Sequence, residues 1–228
     1  DDKASAQEGA AVARELVAAG VRAVLGPFNS GVALSAAKIY NDAGVVALTV
    51  ASNPKVTQTS LPQVFRIAAS DTDMGGKMAF YAARHLKLKR VAIIEDGSPY
   101  ARGLTDEFER VAKMNGVQLV YKGAVGDKLE EFGATLGAVA AAKADAIFFG
   151  GYVPQGSALL RQMQQRGMPI ALLGGDALWL TITSLYPLSV SIDGRNLFDE
   201  AIPPVAAGPA QILVSDRLIS SASRTARP

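Results

Sequence analysis

Ser30, Ser52, Asp71, Tyr100, Tyr152 and Asp176 stand at or just beyond the ends of short apolar runs, and their types suit capture of a small charged molecule. Ser30 follows the turn Gly26-Pro27-Phe28-Asn29 and opens a helical stretch. There its hydroxyl, the first backbone N–H groups and the helix dipole favour an anion. The plainer role for Ser30 is a helix N-cap. Ser52, in Val50-Ala51-Ser52-Asn53-Pro54, could likewise organise its own turn. Asp176 follows Gly174-Gly175, which would admit a small cationic group close to the carboxylate; capping the next turn is an equal alternative. Asp71 reads as a cap or as a bridge between lobes. Tyr100 and Tyr152 are expected in loops, after Gly97-Ser98-Pro99 and Gly150-Gly151. A tyrosine ring there can cover an apolar substituent or stack over an ammonium, and it can also be ordinary packing. Two tyrosines at equivalent junctions favour a site.

The same residues offer little for catalysis. The chain has no cysteine and one histidine, His85, so thiolate nucleophiles, disulfides and clustered-histidine metal sites are excluded. His85 closes a helical stretch, where a surface or C-terminal role is expected. Trp179 is expected to pack. No Gly-x-Gly-x-x-Gly follows a strand, and neither a phosphate loop nor a Gly-x-Ser-x-Gly elbow occurs. No catalytic residue, metal or cofactor is therefore assigned. An α/β enzyme using Asp71 or Asp176 as acid or base remains a competing reading without a nucleophile to support it.

Elements that could position these residues follow one another regularly. The 228 residues are 49% hydrophobic and 19% charged, the composition of a folded globular protein. Helical periodicity over 4–19 and 30–43 alternates with apolar runs at Val21–Leu25 and Val45–Thr49, the first expected to be a buried strand. Strands are expected at Val64–Ile67, Val91–Ile94, Val117–Tyr121, Ala146–Phe149 and Ile170–Leu173. Helices are expected over 72–86, 103–115, 129–143 and 157–166 between them. Strands apolar on both faces, joined by single amphipathic helices, predict an α/β fold with doubly wound parallel sheets. Ligands of such sheets sit beyond the strand carboxyl ends, where the candidate residues fall.

From Leu180 the alternation blurs, Ile212-Leu213-Val214 could be a further strand, and Ala222–Pro228 reads as a disordered end. A net charge of +2, from 23 basic and 21 acidic residues, gives no field that would attract nucleic acid or an anionic membrane. No apolar run reaches the roughly 18 residues of a membrane span. Direct membrane insertion is not expected.

Asp1-Asp2-Lys3-Ala4, Val24-Leu25-Gly26-Pro27, Ala51-Ser52-Asn53-Pro54, Phe65-Arg66, Val91-Ala92-Ile93-Ile94, Tyr100-Ala101-Arg102-Gly103-Leu104, Gly150-Gly151-Tyr152 and Gly174-Gly175-Asp176 occur in order. Over residues 1–179 this resembles the periplasmic leucine/isoleucine/valine-binding proteins of branched-chain amino-acid ABC transporters. The resemblance implies a two-lobed type I periplasmic binding fold that closes on its ligand: a first lobe over 1–68, a second over 69–179 and an atypical tail over 180–228. It implies that residues at Ser30 and Ser52 hold the ligand's α-carboxylate. The carbonyl at Ala51, the Ser52 hydroxyl and the acid at Asp176 would meet its α-ammonium. Tyr100 and Tyr152 would come from the second lobe, Asp71 would lie near the crossing, and Phe28, Asn29 and Val50 would line the site.

The expected partners are an amino acid and ABC permease subunits, the expected compartment the periplasm, and the expected state a monomer. A ligand-sensing domain on the same scaffold is the alternative. Asp176 is one methylene shorter than the glutamate of leucine-type members, so the ligand could differ from a branched-chain amino acid. Two departures stand out: the family's leading strand, helix and strand are missing, and residues 180–228 do not resemble its return segment. A reading-frame change near Trp179 or true divergence would each account for the second.

Overall fold

The computed structural model describes residues 1–58, 60–125 and 132–178, and the strand backbones of 190–192, 195–196 and 212–214. Trp179, the tail apart from those strands, and the expected helix start at 129 lie outside the described residues. The chain divides into two compact units, Asp1–Asp73 and Met74–Pro228.

In the first unit, β1 (Ala23–Leu25), β2 (Val46–Thr49) and β3 (Val64–Arg66) pair in that order, all parallel. The register sets Val24, Ala47 and Val64 in one row and Leu25, Leu48 and Phe65 in the next. Because successive side chains point to opposite faces, the first row meets helices α1 (Ala6–Ala18) and α2 (Ser30–Asp42), and the short α3 (Lys55–Gln58) adds Val56 to the same core. Ala13, Ala33, Ala36 and Ala37 form that seam, where small side chains bring helix and sheet together. The second row turns away, with Leu25 88% exposed. Val21–Leu25 is therefore not the buried strand expected: apolar composition shows that a residue can be buried, and β1 is an edge strand whose second face no described helix covers.

In the second unit, β4 (Arg90–Glu95), β5 (Gln118–Ala124), β6 (Ala146–Gly150) and β7 (Ala171–Gly174) run parallel in the order β5-β4-β6-β7. The backbone of β10 (Ile212–Val214) extends the sheet beyond β7, followed by β8 (Val190–Ile192) and β9 (Arg195–Asn196). Helices α4 (Asp71–Arg84) and α5 (Pro99–Met114) belong to one face, where Phe108 stacks on Phe148 with centroids 3.8 Å apart. Helices α6 (Gly133–Ala141) and α7 (Val153–Gln165) close the other, packing Leu136, Val139, Leu160 and Met163 on Ile94, Ile147, Phe149 and Leu172. Each such fully buried side chain contributes about 1.5–3 kcal/mol. Right-handed crossovers that leave β4 toward β5 and later return past it put their helices on opposite faces. The sheet thus reverses direction between β4 and β6, the place where such sheets open a crevice.

Two helices begin earlier than expected, and this moves Tyr100. Helix α5 starts at Pro99 rather than near 103: Ser98 caps it, accepting from the Ala101 N–H at 3.0 Å, and proline suits a first helical turn because its missing N–H would have had no helical partner. Helix α7 starts at Val153 with Pro154 in its first turn. Tyr100 therefore lies inside α5 and is not the loop residue expected, whereas Tyr152 stays in the loop, at the N-cap position just before α7. Helix α5 is also pinned along its length. Lys113 and Lys122 donate to Glu109 at 2.6 and 2.8 Å and hold its carboxyl below the usual carboxylate range.

Candidate functional site

At the carboxyl edge of the first sheet, the loops after β1 and β2 carry Phe28, Asn29, Val50, Ala51 and Ser52, and Ser30 and Asp71 open the helices α2 and α4. The loops are bonded to one another. The Thr49 hydroxyl donates to the Pro27 carbonyl at 2.5 Å and accepts the Ala51 N–H at 2.9 Å, which ties the first loop to the second. The Asn53 N–H donates to Ser30 Oγ at 3.3 Å, and the Asp71 N–H to the Ser52 carbonyl at 2.9 Å. Asn53 in turn accepts from the Lys55 N–H through its side chain and from Arg66 Nη1 through its carbonyl.

Two capping expectations are corrected by this geometry. Asn29, not Ser30, holds the N-cap position of α2; Ser30 is the first helical residue, buried, with its Oγ turned to the next loop. Asp71 does not cap α4 either. Ser70 Oγ accepts from the Asp73 N–H at 3.2 Å and donates to the Asp73 carboxylate at 2.8 Å. Position decides this, because Asp71 is already the first helical residue and Ser70 stands just before it, where a side-chain oxygen reaches the third N–H. Ser30, Ala51, Ser52 and Asp71 are all buried, whereas Phe28 and Val50 are exposed and can cover an apolar group.

In the second unit, the segments beyond β4, β6 and β7 bring Tyr100, Tyr152 and Asp176 together. Tyr100 Oη donates to Asp176 Oδ1 at 3.0 Å, and the rings of Tyr100 and Tyr152 lie 5.1 Å apart, tilted by 34°. Tyr100 is buried and Asp176 is exposed. Asp176 opens a 3-10 turn and also accepts the Ala177 N–H at 2.9 Å. Two tilted aromatic faces beside a carboxylate form a chemical environment for a cationic nitrogen. His85 is an exposed residue that follows α4 and stacks on Tyr81, 5.0 Å away, far along the helix from this edge.

Asp96 is the residue that sequence reasoning missed. Its Oδ1 accepts the Ser98 N–H at 2.9 Å and its Oδ2 accepts the Tyr152 N–H at 3.1 Å. One carboxylate thus sets the start of α5 against the start of α7 where the sheet reverses. The signal was available: an aspartate directly after a strand and before Gly-Ser-Pro is a turn former that bonds two residues on. Asp96→Asn would set an amide N–H₂ against one of these donors, a loss of about 1–3 kcal/mol. Thermal unfolding is expected to shift down by roughly 2–4 °C per kcal/mol. An unchanged midpoint would show that the bracket carries no stability.

One parallel α/β unit thus gathers hydroxyls at its carboxyl edge, and the other a tyrosine pair with a carboxylate. A model of the periplasmic binding protein family matches residues 1–191. The Leu/Ile/Val-binding protein BraC3 of Rhizobium johnstonii is 31% identical over 88% of this chain and 54% of its own length. A leucine-binding protein, LivK, of Thermotoga maritima superposes with a TM-score of 0.72 at 29% identity, over 78% of this chain and 51% of that one. The LivJ substrate-binding protein of Streptococcus pneumoniae, solved with isoleucine, gives 0.71 at 26% identity over 78% and 51%. The chain belongs to the periplasmic binding protein family, on the branch of the leucine/isoleucine/valine-binding proteins, and has the type I periplasmic binding fold. This is a family of solute-binding, non-enzymatic proteins, and the chain spans about half the length of the relatives it matches. Among the described residues no helix is long and apolar enough to cross a membrane.

Proposed function

We propose that the protein captures an amino acid, of branched-chain type, in the periplasm and delivers it to the permease of an ABC importer. The observation that carries this reading is the Tyr100–Asp176 bond beside the Tyr152 ring, because it provides for a ligand's ammonium group. Ser30 and Ser52 supply hydroxyls for the carboxylate. The Ser30 oxygen already accepts from Asn53, so its proton is the part offered to an anion. Phe28 and Val50 cover the aliphatic side chain, a use that fits their exposure at the strand edge. The domain assignment, a first lobe over 1–68 and a second over 69–179, belongs to the same proposal.

Calorimetric titration of the product of the complete reading frame with leucine, isoleucine and valine tests it, with benzoate as a carboxylate that lacks an amine. Binding of the aliphatic amino acids at micromolar or tighter affinity, about −8 kcal/mol or better, with none of benzoate is expected. Binding of benzoate alone would overturn the assignment of Asp176 to an ammonium and with it the amino-acid reading.

A further inference from the structure

We infer that the Tyr100 hydroxyl is a positioning group that holds the Asp176 carboxylate in the orientation from which it takes a ligand's ammonium, and that residue 175 is glycine to leave that hydroxyl its place. The inference rests on the proposed reading of Asp176 as the ammonium partner, and it adds what makes that carboxylate selective.

Tyr100 lies in the first turn of α5, between Pro99 and Ala101, so its backbone is fixed by the Ser98 cap and by the proline. The side chain is 3% exposed. A hydroxyl buried to that degree requires a partner, and it has one in Asp176 Oδ1 at 3.0 Å. The same oxygen accepts the Ala177 N–H at 2.9 Å. Two donors on one oxygen fix the rotation of the carboxylate, while an ionised carboxylate has about four lone-pair sites and keeps capacity for a further donor. Asp176 is exposed in a short 3-10 turn; without Tyr100 the bond to its own next amide would be its remaining contact among those described above.

Gly175 gives the second, independent observation. A Cβ placed there would overlap the Tyr100 hydroxyl oxygen and lie 2.6 Å from Leu104 Cδ2. The hydroxyl therefore occupies the volume in which residue 175 would carry a side chain. The backbone of the turn that bears Asp176 lies directly against the tyrosine that orients it.

Holding a carboxylate ready matters for binding because each side chain that must be immobilised on association subtracts from affinity. The effect should appear only for ligands that use the carboxylate. Tyr100→Phe keeps the ring and its contact with Tyr152 and removes the hydroxyl, which donates to Asp176 and also accepts the Ala177 N–H at 3.5 Å. Calorimetry with leucine and with 4-methylpentanoate, the same skeleton without the amino group, separates the roles. Leucine is expected to bind Y100F about tenfold more weakly, with 4-methylpentanoate changed less than about twofold. In an Asp176→Asn background, Tyr100→Phe is expected to add nothing further for leucine. Gly175→Ala should reproduce the Y100F pattern.

An equal loss for both ligands would mean that Tyr100 only supports the fold, and an unchanged leucine affinity would overturn the inference directly. If the unsubstituted protein binds no amino acid, the functional reading fails while the positioning claim is still decided without ligand. The Asp176 carboxyl ¹³C resonance must change in Y100F. If it does not move, Tyr100 does not hold Asp176.

Discussion

Replacing Asp176 with alanine is expected to weaken leucine binding by about one to two orders of magnitude. A hydrogen bond to a charged group is worth about 1.5–3 kcal/mol, and each 1.4 kcal/mol is a factor of about ten. Asp176 is exposed and belongs to no core cluster, so its removal opens no cavity. It also removes the carboxylate oxygen to which the buried Tyr100 hydroxyl donates, so some thermal stability is expected to be lost in the ligand-free protein. The two consequences can be separated. In the double variant carrying Tyr100→Phe and Asp176→Ala, both members of the Tyr100–Asp176 bond are gone, so thermal stability should return toward that of the parent while leucine affinity stays low. Asp176→Asn keeps the shape and one acceptor but loses the charge, and should fall between the parent and the alanine variant. Melting curves and calorimetric titrations of the four proteins decide the matter. Leucine affinity unchanged in Asp176→Ala would remove this carboxylate from the site.

What the sequence disclosed about this edge has a physical logic. Strands such as Val91–Ile94 and Ala146–Phe149 are buried on both faces, so their apolar runs are unbroken and their ends conspicuous. The polar residues that follow, Tyr100, Tyr152 and Asp176, lie at the carboxyl edge of the sheet. Less visible was the start of each helix. Pro99 and Pro154 precede the helices expected from 103 and 157, yet each stands in a first turn, where proline gives up no hydrogen bond. The consequence is more than a shifted boundary: a tyrosine on a helix start is held more firmly than one in a loop, and this is what allows Tyr100 to orient a neighbour.

Contacts between loops were harder still to read. Asn53 to Ser30 and Asp96 to Tyr152 join residues 23 and 56 positions apart. Local periodicity carries no term for such pairs. Only the parallel order of strands, which brings their carboxyl ends to one edge, makes them neighbours. The same limit applies to burial. Val24 and Leu25 are both apolar, but register alone turns one toward α2 and the other outward, because a step of one residue changes the face.

Gly75→Ala and Gly137→Ala are expected to change stability in opposite directions, although both put a methyl group into a helix. Helix propensity alone favours alanine over glycine by about 1 kcal/mol at each position. Gly137, on an exposed part of α6, has nothing within 4 Å of the added Cβ, so propensity decides and the melting point should rise by roughly 2–4 °C. Gly75, buried on α4, would place its Cβ 2.5 Å from the Leu104 carbonyl oxygen and 3.1 Å from the Phe108 nitrogen. Both are backbone atoms of α5 and cannot rotate away, so the helices must separate. Overpacking of this kind costs about 1–3 kcal/mol, and a clash with fixed backbone belongs at the upper end. After subtracting the propensity gain, a net loss of about 2 kcal/mol remains, a fall of roughly 4–8 °C. Leucine affinity should fall with it, because α5 carries Tyr100 one turn before Leu104 and any displacement of the helix shifts the hydroxyl that holds Asp176. A rise in melting temperature for Gly75→Ala would mean that α4 does not pack on α5 at this distance.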